Sequence, residues 1–545
     1  MKRTARAWFV FASVLGACTP GAFAQEHQHD HGGPTGPLGT VHFSTSCNRA
    51  VAQDFDHAIA LLHSFWYSAA IEAFTGVLKN DPGCAIAEWG IAMSWWGNPF
   101  AGYRTPQALA MGLAAIEKGK VAGAKTERER GYLAAVEVLY KDAATLPLRT
   151  RALAYENQMA ALSKTFPDDS EARIFYALAL GQTALPTDKT YANQLKAAGI
   201  LEREFARQPG HPGLAHYIIH SYDVPALAPR ALDAARRYAK IAPAAPHALH
   251  MPSHTFTRVG AWQDSIETNI ASAEAARRDN ATSEELHAMD YMVYAYLQTA
   301  QDAPAKTSVD GIDAIGLRIQ MNAAGAAAPP SAGYYAWAAI PARYALERNA
   351  WGEAAALTPR ETTFPYADAI TYFARALGAA RSGNPAAAAQ DVAKLVTLRD
   401  ALHKANDTYW AGQVDIQWRT ASAWIALAEG RQTEALSSLR EAADFEDLTD
   451  KSAVSPGPIK PARELLGEML MELKRPGEAL KEFEATMAKE PNRFRGVYGA
   501  ARAAKEAGEH QKARIYWARL IEICARADKP GRPELREVQT LLQAQ

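Results

Sequence analysis

His216 and His220 stand four residues apart, and the same pair returns 34 residues later as His250 and His254. That interval is the period of a helix–turn–helix unit in a stacked solenoid, where each hairpin buries its apolar face on the next. The C-terminal end repeats the interval: Gly467, Ala479 and Phe483 find counterparts at Ala501, Ala513 and Trp517, with Glu490-Pro491-Asn492 breaking the helices between them. A chain of 545 residues would ordinarily divide into several globular domains. A solenoid escapes that limit, because it lengthens without enlarging any single core. Ala, Leu and Glu are abundant and no useful stretch alternates as a strand would, so the predicted fold class is all-α.

The formal charge of −1 provides no global field to attract nucleic acid, which is set aside as a partner. Residues 1–24 read as an export signal: Lys2, Arg3 and Arg6 precede an apolar stretch too short to span a bilayer, and Ala22-Phe23-Ala24 suits cleavage. Leu15-Gly16-Ala17-Cys18 offers a second reading, a lipid anchor at Cys18. No other segment predicts a transmembrane span, and both readings place the mature chain in the periplasm. Cys47 and Cys84 precede successive first helices of the opening repeats, whose ends should lie side by side, so an oxidising compartment favours a Cys47–Cys84 disulfide over the alternative of two buried thiols. Cys524 reads as an unpaired core residue.

Residues 25–40, with His27, His29 and His31 among Gly and Pro, predict a disordered leader of metal-scavenging composition. Residues 41–302 form the first helical half, with helices predicted over 67–78, 85–96, 127–141, 149–165 and 170–180. Units follow over 212–245 and 246–279, and a third begins near Leu286. Pro, Gly and Ala runs make 303–332 the candidate linker, and 333–545 returns to regular repeats.

In this pattern the chain resembles the tetratricopeptide repeat family, most strongly over 461–527 and well over 212–279. The resemblance implies a right-handed superhelical solenoid whose concave face is lined by the first helix of each unit. The opening segment, with Ser46-Cys47, Leu62-His63-Ser64-Phe65-Trp66 and Trp89-Gly90-Ile91-Ala92-Met93-Ser94, is also similar to a group of exported bacterial repeat proteins without a settled role.

Seven of the 15 histidines fall between positions 211 and 287. Residues four apart share a helix face, so His216 with His220 and His250 with His254 converge as metal-binding pairs do. The family layout turns that face into the concave groove and adds His247 and His287, with Asp290 as a further ligand or orienting group. Imidazole suits Zn, Cu and Fe, so a transition metal is the expected cofactor, its identity open. Asp223, Asp264 and Glu284 are carboxylates available to orient the rings. Asp290, Tyr291 and Arg258 are the catalytic candidates, Arg258 as a holder of an anionic substrate group. Pro252 threatens the second pair, since proline is comfortable only in a helix's first turn. His57, His63, His403 and His510 read as hydrogen-bonded core residues, and the aromatic run Phe65-Trp66-Tyr67 as repeat packing, with one ring lining the groove as the alternative. Two alternatives stay open for the cluster: ordinary core histidines, or a polar groove that clamps a peptide. The chain lacks a Gly-rich phosphate loop, a Gly-x-Ser-x-Gly elbow and a haem-attachment motif. The reading is therefore an exported solenoid that handles a metal or uses it on a small-molecule substrate, against a cell-envelope scaffold holding a protein or peptide partner.

Overall fold

The computed structural model describes residues 36–101, 104–321 and 327–543. Among these, every regular element is a helix, and each packs chiefly on its neighbours in sequence, as a helical-repeat solenoid requires. No described helix is long and apolar enough to cross a membrane. Local chemistry explains the helix starts. Thr105, Thr126 and Asp169 accept backbone N–H bonds as N-caps, and Pro212, Pro246, Pro330 and Pro365 sit in first turns. The observed helices Tyr67–Asn80, Ala85–Trp96, Glu127–Tyr140, Leu148–Thr165 and Ser170–Thr183 lie close to the predicted ones. Cys47 and Cys84 are joined in a disulfide, and Cys524 is free and buried.

Two boundaries need correction. The first part of 303–332 is not a loop, because Asp302–Gly316 is a helix that buries Ala305, Ser308, Ile312 and Gly316 on one stripe. Pro304 is tolerated there because it falls in the first turn, and Pro330 opens the next helix, Pro330–Glu347. The leader 25–40 is ordered at its end: Leu38 is buried with Val41 and Phe43, and the Thr40 N–H donates to the Gly210 carbonyl at 2.9 Å. The proposed signal, Cys18 and the leader histidines lie outside the described residues.

The stack does not stay open. Its C-terminal repeats pack back on the middle of the chain around Thr282–Gln298. Arg493, fully buried, donates to Glu464 at 3.0 Å and to the Tyr294 hydroxyl at 2.6 Å, and it also pairs with Glu347. The Trp262 indole N–H donates to the Asn492 carbonyl at 2.7 Å. This contact needs the turn after Val259 to be bare. Gly260 adopts φ +69°, and a Cβ there would lie 2.5 Å from the Pro491 carbonyl oxygen. One long connection, between Gln432–Asp447 and Ala462–Glu472, crosses the interior. Arg343 donates to the Pro458 and Gly457 carbonyls at 2.7 and 2.9 Å, and the Asp450 N–H reaches the Pro186 carbonyl at 3.2 Å.

Candidate metal centre

The six predicted histidines come together, but not as one set. His216, His220 and His247 form one triad and His250, His254 and His287 a second; within each, one ligand atom per ring lies within 4.8 Å of the others. Each triad takes an i, i+4 pair and a third ring from the next hairpin. The first pair stands on Pro212–Ser221, a regular helix that begins with its proline. The second stands where Pro252 splits the chain into Pro246–His250 and Pro252–Val259. His247, on the turn before the break, faces the first pair, while His250 and His254, on either side of it, face His287 on Thr282–Gln298. The triads abut: the His220 and His254 ring centroids are 5.9 Å apart, and those of His247 and His250 are 6.0 Å apart.

Hydrogen bonds behind the rings assign their tautomers. His216 Nδ1 lies 2.8 Å from the His63 carbonyl, an acceptor only, so Nδ1 carries the proton and Nε2 keeps a lone pair with no partner. Asn269 gives an N–H to the Ser265 carbonyl at 2.7 Å, which turns its Oδ1 to His250 Nδ1 at 2.7 Å. His254 Nδ1 donates to Asp223 Oδ2 at 2.9 Å. His250 Nε2 and His254 Nε2 therefore both present lone pairs, and they face each other at 3.1 Å. Two lone pairs at that distance repel unless a proton or a metal ion lies between them. His220 Nε2, both nitrogens of His247 and His287 Nδ1 are likewise buried without partners.

Burial disfavours the proton. Desolvation lowers the pKa of His216 and His287 to about 3 and holds His220, His247 and His250 well below the ordinary value, with neighbouring imidazoles adding to the effect. His254 is also lowered by burial, although Asp223 opposes the shift. Burial would raise Asp223, yet Lys451 at 2.9 Å, Arg258 at 2.9 Å and His254 keep it ionised well below the carboxylate range. Lys451 itself is lowered to about 8 by burial. Glu284, whose Oε2 lies 3.9 Å from His247 Nδ1, is raised to about 7 by burial.

The open groove expected from the repeat layout is corrected. His216, His247, His250, His254 and His287 are at most 6% exposed, and only His220 is half-buried. The crossing connection supplies the cover, since Tyr291 donates to the Ser455 carbonyl at 3.0 Å and His287 bonds the Val454 backbone. Asp290 joins neither triad; it accepts from Arg343 Nε at 2.9 Å. Arg258 holds Asp223 rather than lying free for a substrate. Tyr291 stays at the centre, its hydroxyl 3.3 Å from His254 Nδ1 and its ring centroid 4.8 Å from those of His250 and His254. Of the proposed orienting carboxylates, Asp223 acts on His254, while Asp264 is exposed.

His57, His403 and His510 prove to be exposed, since each falls on an outward face of its helix. His63 is buried, and it supports the site. Its Nε2 and that of His211 each lie 2.9 Å from one carboxylate oxygen of Glu171, and its Nδ1 lies 2.9 Å from the Tyr217 hydroxyl. This network fixes the residue whose carbonyl orients His216. Phe65 follows two residues later in a left-handed conformation, φ 56°, where glycine is usual. The position turns its ring onto the first triad, 4.3 Å from His216 and 5.5 Å from His247 between centroids. Lys451 and Asn269 carried no sequence signal, because their roles depend on which residues the fold sets behind the rings.

No protein-family model matches the chain. A comparison with curated protein sequences likewise finds no match. Among solved structures, a human IFIT1 dimer with m7Gppp-AAAA is similar at 10% identity and TM-score 0.39, over 81% of this chain and 90% of that one. Yeast Tom70 aligns at 9% identity and TM-score 0.26, covering 86% and 84%. Naa15/Naa10 bound to HypK aligns at 12% identity and TM-score 0.23, covering 87% and 75%. Likenesses this distant carry nothing about ligand or partner, and the reading of the site rests on its own geometry.

Proposed function

We propose that this protein binds a transition metal through its clustered imidazoles, as an exported protein that handles the metal or applies it to a small substrate. The observation that carries the reading is the pair of facing lone pairs on His250 and His254, each fixed from behind by an acceptor. Ligands oriented this way are what a metal site requires, and they are costly to bury without one. The Cys47–Cys84 disulfide supports the oxidising location that export implies. Metal bound there would act as a Lewis acid or redox centre. The protein's own part is to hold neutral imidazoles, keep water out and place the Tyr291 hydroxyl beside His254.

The test is metal analysis of untagged protein alongside a His216→Ala/His250→Ala double variant. Stoichiometric metal in the parent and its loss in the variant is the expected result; a parent that takes up none refutes the reading. The second reading, a scaffold for a protein or peptide partner, draws support from a cleft beside the centre lined by Tyr335, Tyr366, Tyr409, Trp410 and Lys451. A metal-free protein that captures a peptide in that cleft would favour it.

A further inference from the structure

The triads share a wall, and their chemistry restricts what can fill them. Each offers three neutral nitrogens and no carboxylate or thiolate, an unusual donor set for iron, which commonly takes two histidines and a carboxylate. A zinc ion on three histidines completes its tetrahedron with water or a fourth ligand, but among the described residues only Glu284, 3.9 Å from His247 Nδ1, stands by as a further protein ligand, and five of the six rings are sealed. Charge sharpens the choice. Two divalent ions on neutral ligands would bring four positive charges into a buried space that already holds Arg258 and Lys451. The nearby carboxylates are largely committed: Asp223 to those two cations and Asp290 to Arg343. Only Glu284 stands near a ring without a cationic side chain bound to it, and it accepts the Ala327 N–H at 2.6 Å. A monovalent ion halves the charge, and Cu(I), with a filled d shell, accepts three-coordination by imidazole.

Building on the metal-binding reading above, we propose that the two triads form one dinuclear copper centre, with a cuprous ion in each triad. His220 and His247 meet His254 and His250 across the boundary at ring separations of 5.9 and 6.0 Å, no wider than the 6.5 Å between His220 and His247 within one triad. Two ions so held are neighbours, able to share a small bridging ligand as ions about 4 Å apart do.

The experiment uses the full chain, untagged, with His27, His29 and His31 replaced by Gln so that the leader does not add to the count. Metal-stripped protein is titrated anaerobically with Cu(I) against a chromophoric cuprous chelator, and in parallel with Zn(II), with the bound metal counted by plasma mass spectrometry. Two Cu(I) per chain, zinc binding at least tenfold weaker, and a copper–copper scattering vector near ~4 Å in X-ray absorption are expected. His220→Gln and His287→Gln should each cut the count from two to one. If either variant melts like an unfolded chain, the parent's count and scattering vector still decide. One copper per chain, two coppers without that vector, or zinc displacing copper overturns the dinuclear proposal and leaves metal binding standing. No tight uptake of any metal overturns both.

Discussion

Asn269 and Lys451 show how single side chains set the site's affinity in opposite directions. Asn269 supplies the acceptor that fixes His250 with Nε2 toward its partner. Asn269→Ala frees that ring, and metal affinity should drop roughly 10–100-fold, the usual cost of losing a group behind a ligand. Chelator competition measures it, with an unchanged circular dichroism spectrum as the control. Lys451 places a buried ammonium beside the cluster and contributes to the lowered pKa of His220, His250, His254 and His287. Lys451→Met should tighten cation binding by about tenfold or more, roughly 1.4 kcal/mol, because Asp223 keeps Arg258 and His254. Weaker binding in the same assay would show that Lys451 supports the centre rather than opposing it. Neither residue was legible in the sequence, since an amide or an ammonium far along the chain has no spacing relation to the histidines it serves.

At the scale of the element, helix ends do more than helix faces. The four-residue spacing correctly placed His216 beside His220 and His250 beside His254, because side chains one turn apart share a face whatever surrounds them. Which third ring completes each pair does not follow from spacing, since His247 and His250 share the helix Pro246–His250 yet join different triads. The end of Ala52–His63 matters in the same way. Phe65 occupies a left-handed position at a cost of about 1 kcal/mol, and its ring walls the first triad. Phe65→Gly should relieve the backbone but lose packing worth ~3–5 kcal/mol, a net loss of about 2–4 kcal/mol. A chemical denaturation midpoint checks it; a more stable variant would remove the ring from the account of the site. Gly213 belongs to the same junction, since a Cβ there would meet His63 Nδ1 at 2.5 Å.

Across the whole molecule, closure of the stack is what seals the centre. Arg493→Ala would strand Glu347 and leave Glu464 with only Lys460, 3.7 Å away, all of them buried, and should cost about 3–5 kcal/mol. Faster metal exchange should accompany the lower melting temperature, because His287 stands on Thr282–Gln298, the helix that Arg493 anchors through Tyr294. Acid should act through the histidines. Their folded pKa values lie below the unfolded value near 6.5, so from there down toward about 3 the unfolded chain binds more protons and stability falls as pH falls. Each unit of depression counts for ~1.4 kcal/mol. The metal-free chain should therefore lose stability below about pH 6.5, and bound metal should move the acid midpoint lower. An acid midpoint indifferent to metal would contradict this assignment of the rings.

Repeat period, helix type, the paired cysteines and the set of six histidines follow from the amino-acid order alone, because each depends on neighbours within a turn or on a fixed interval. The division into triads, the removal of Asp290 to Arg343, the helix within 303–332 and the burial of the site were decided by the fold. Those outcomes arise where distant repeats meet: Lys451 reaches Asp223, Val454 covers His287, and Arg493 binds Tyr294. Spacing along a chain fixes directions on one helix, but which groups face each other across the interior depends on how the stack curves and closes.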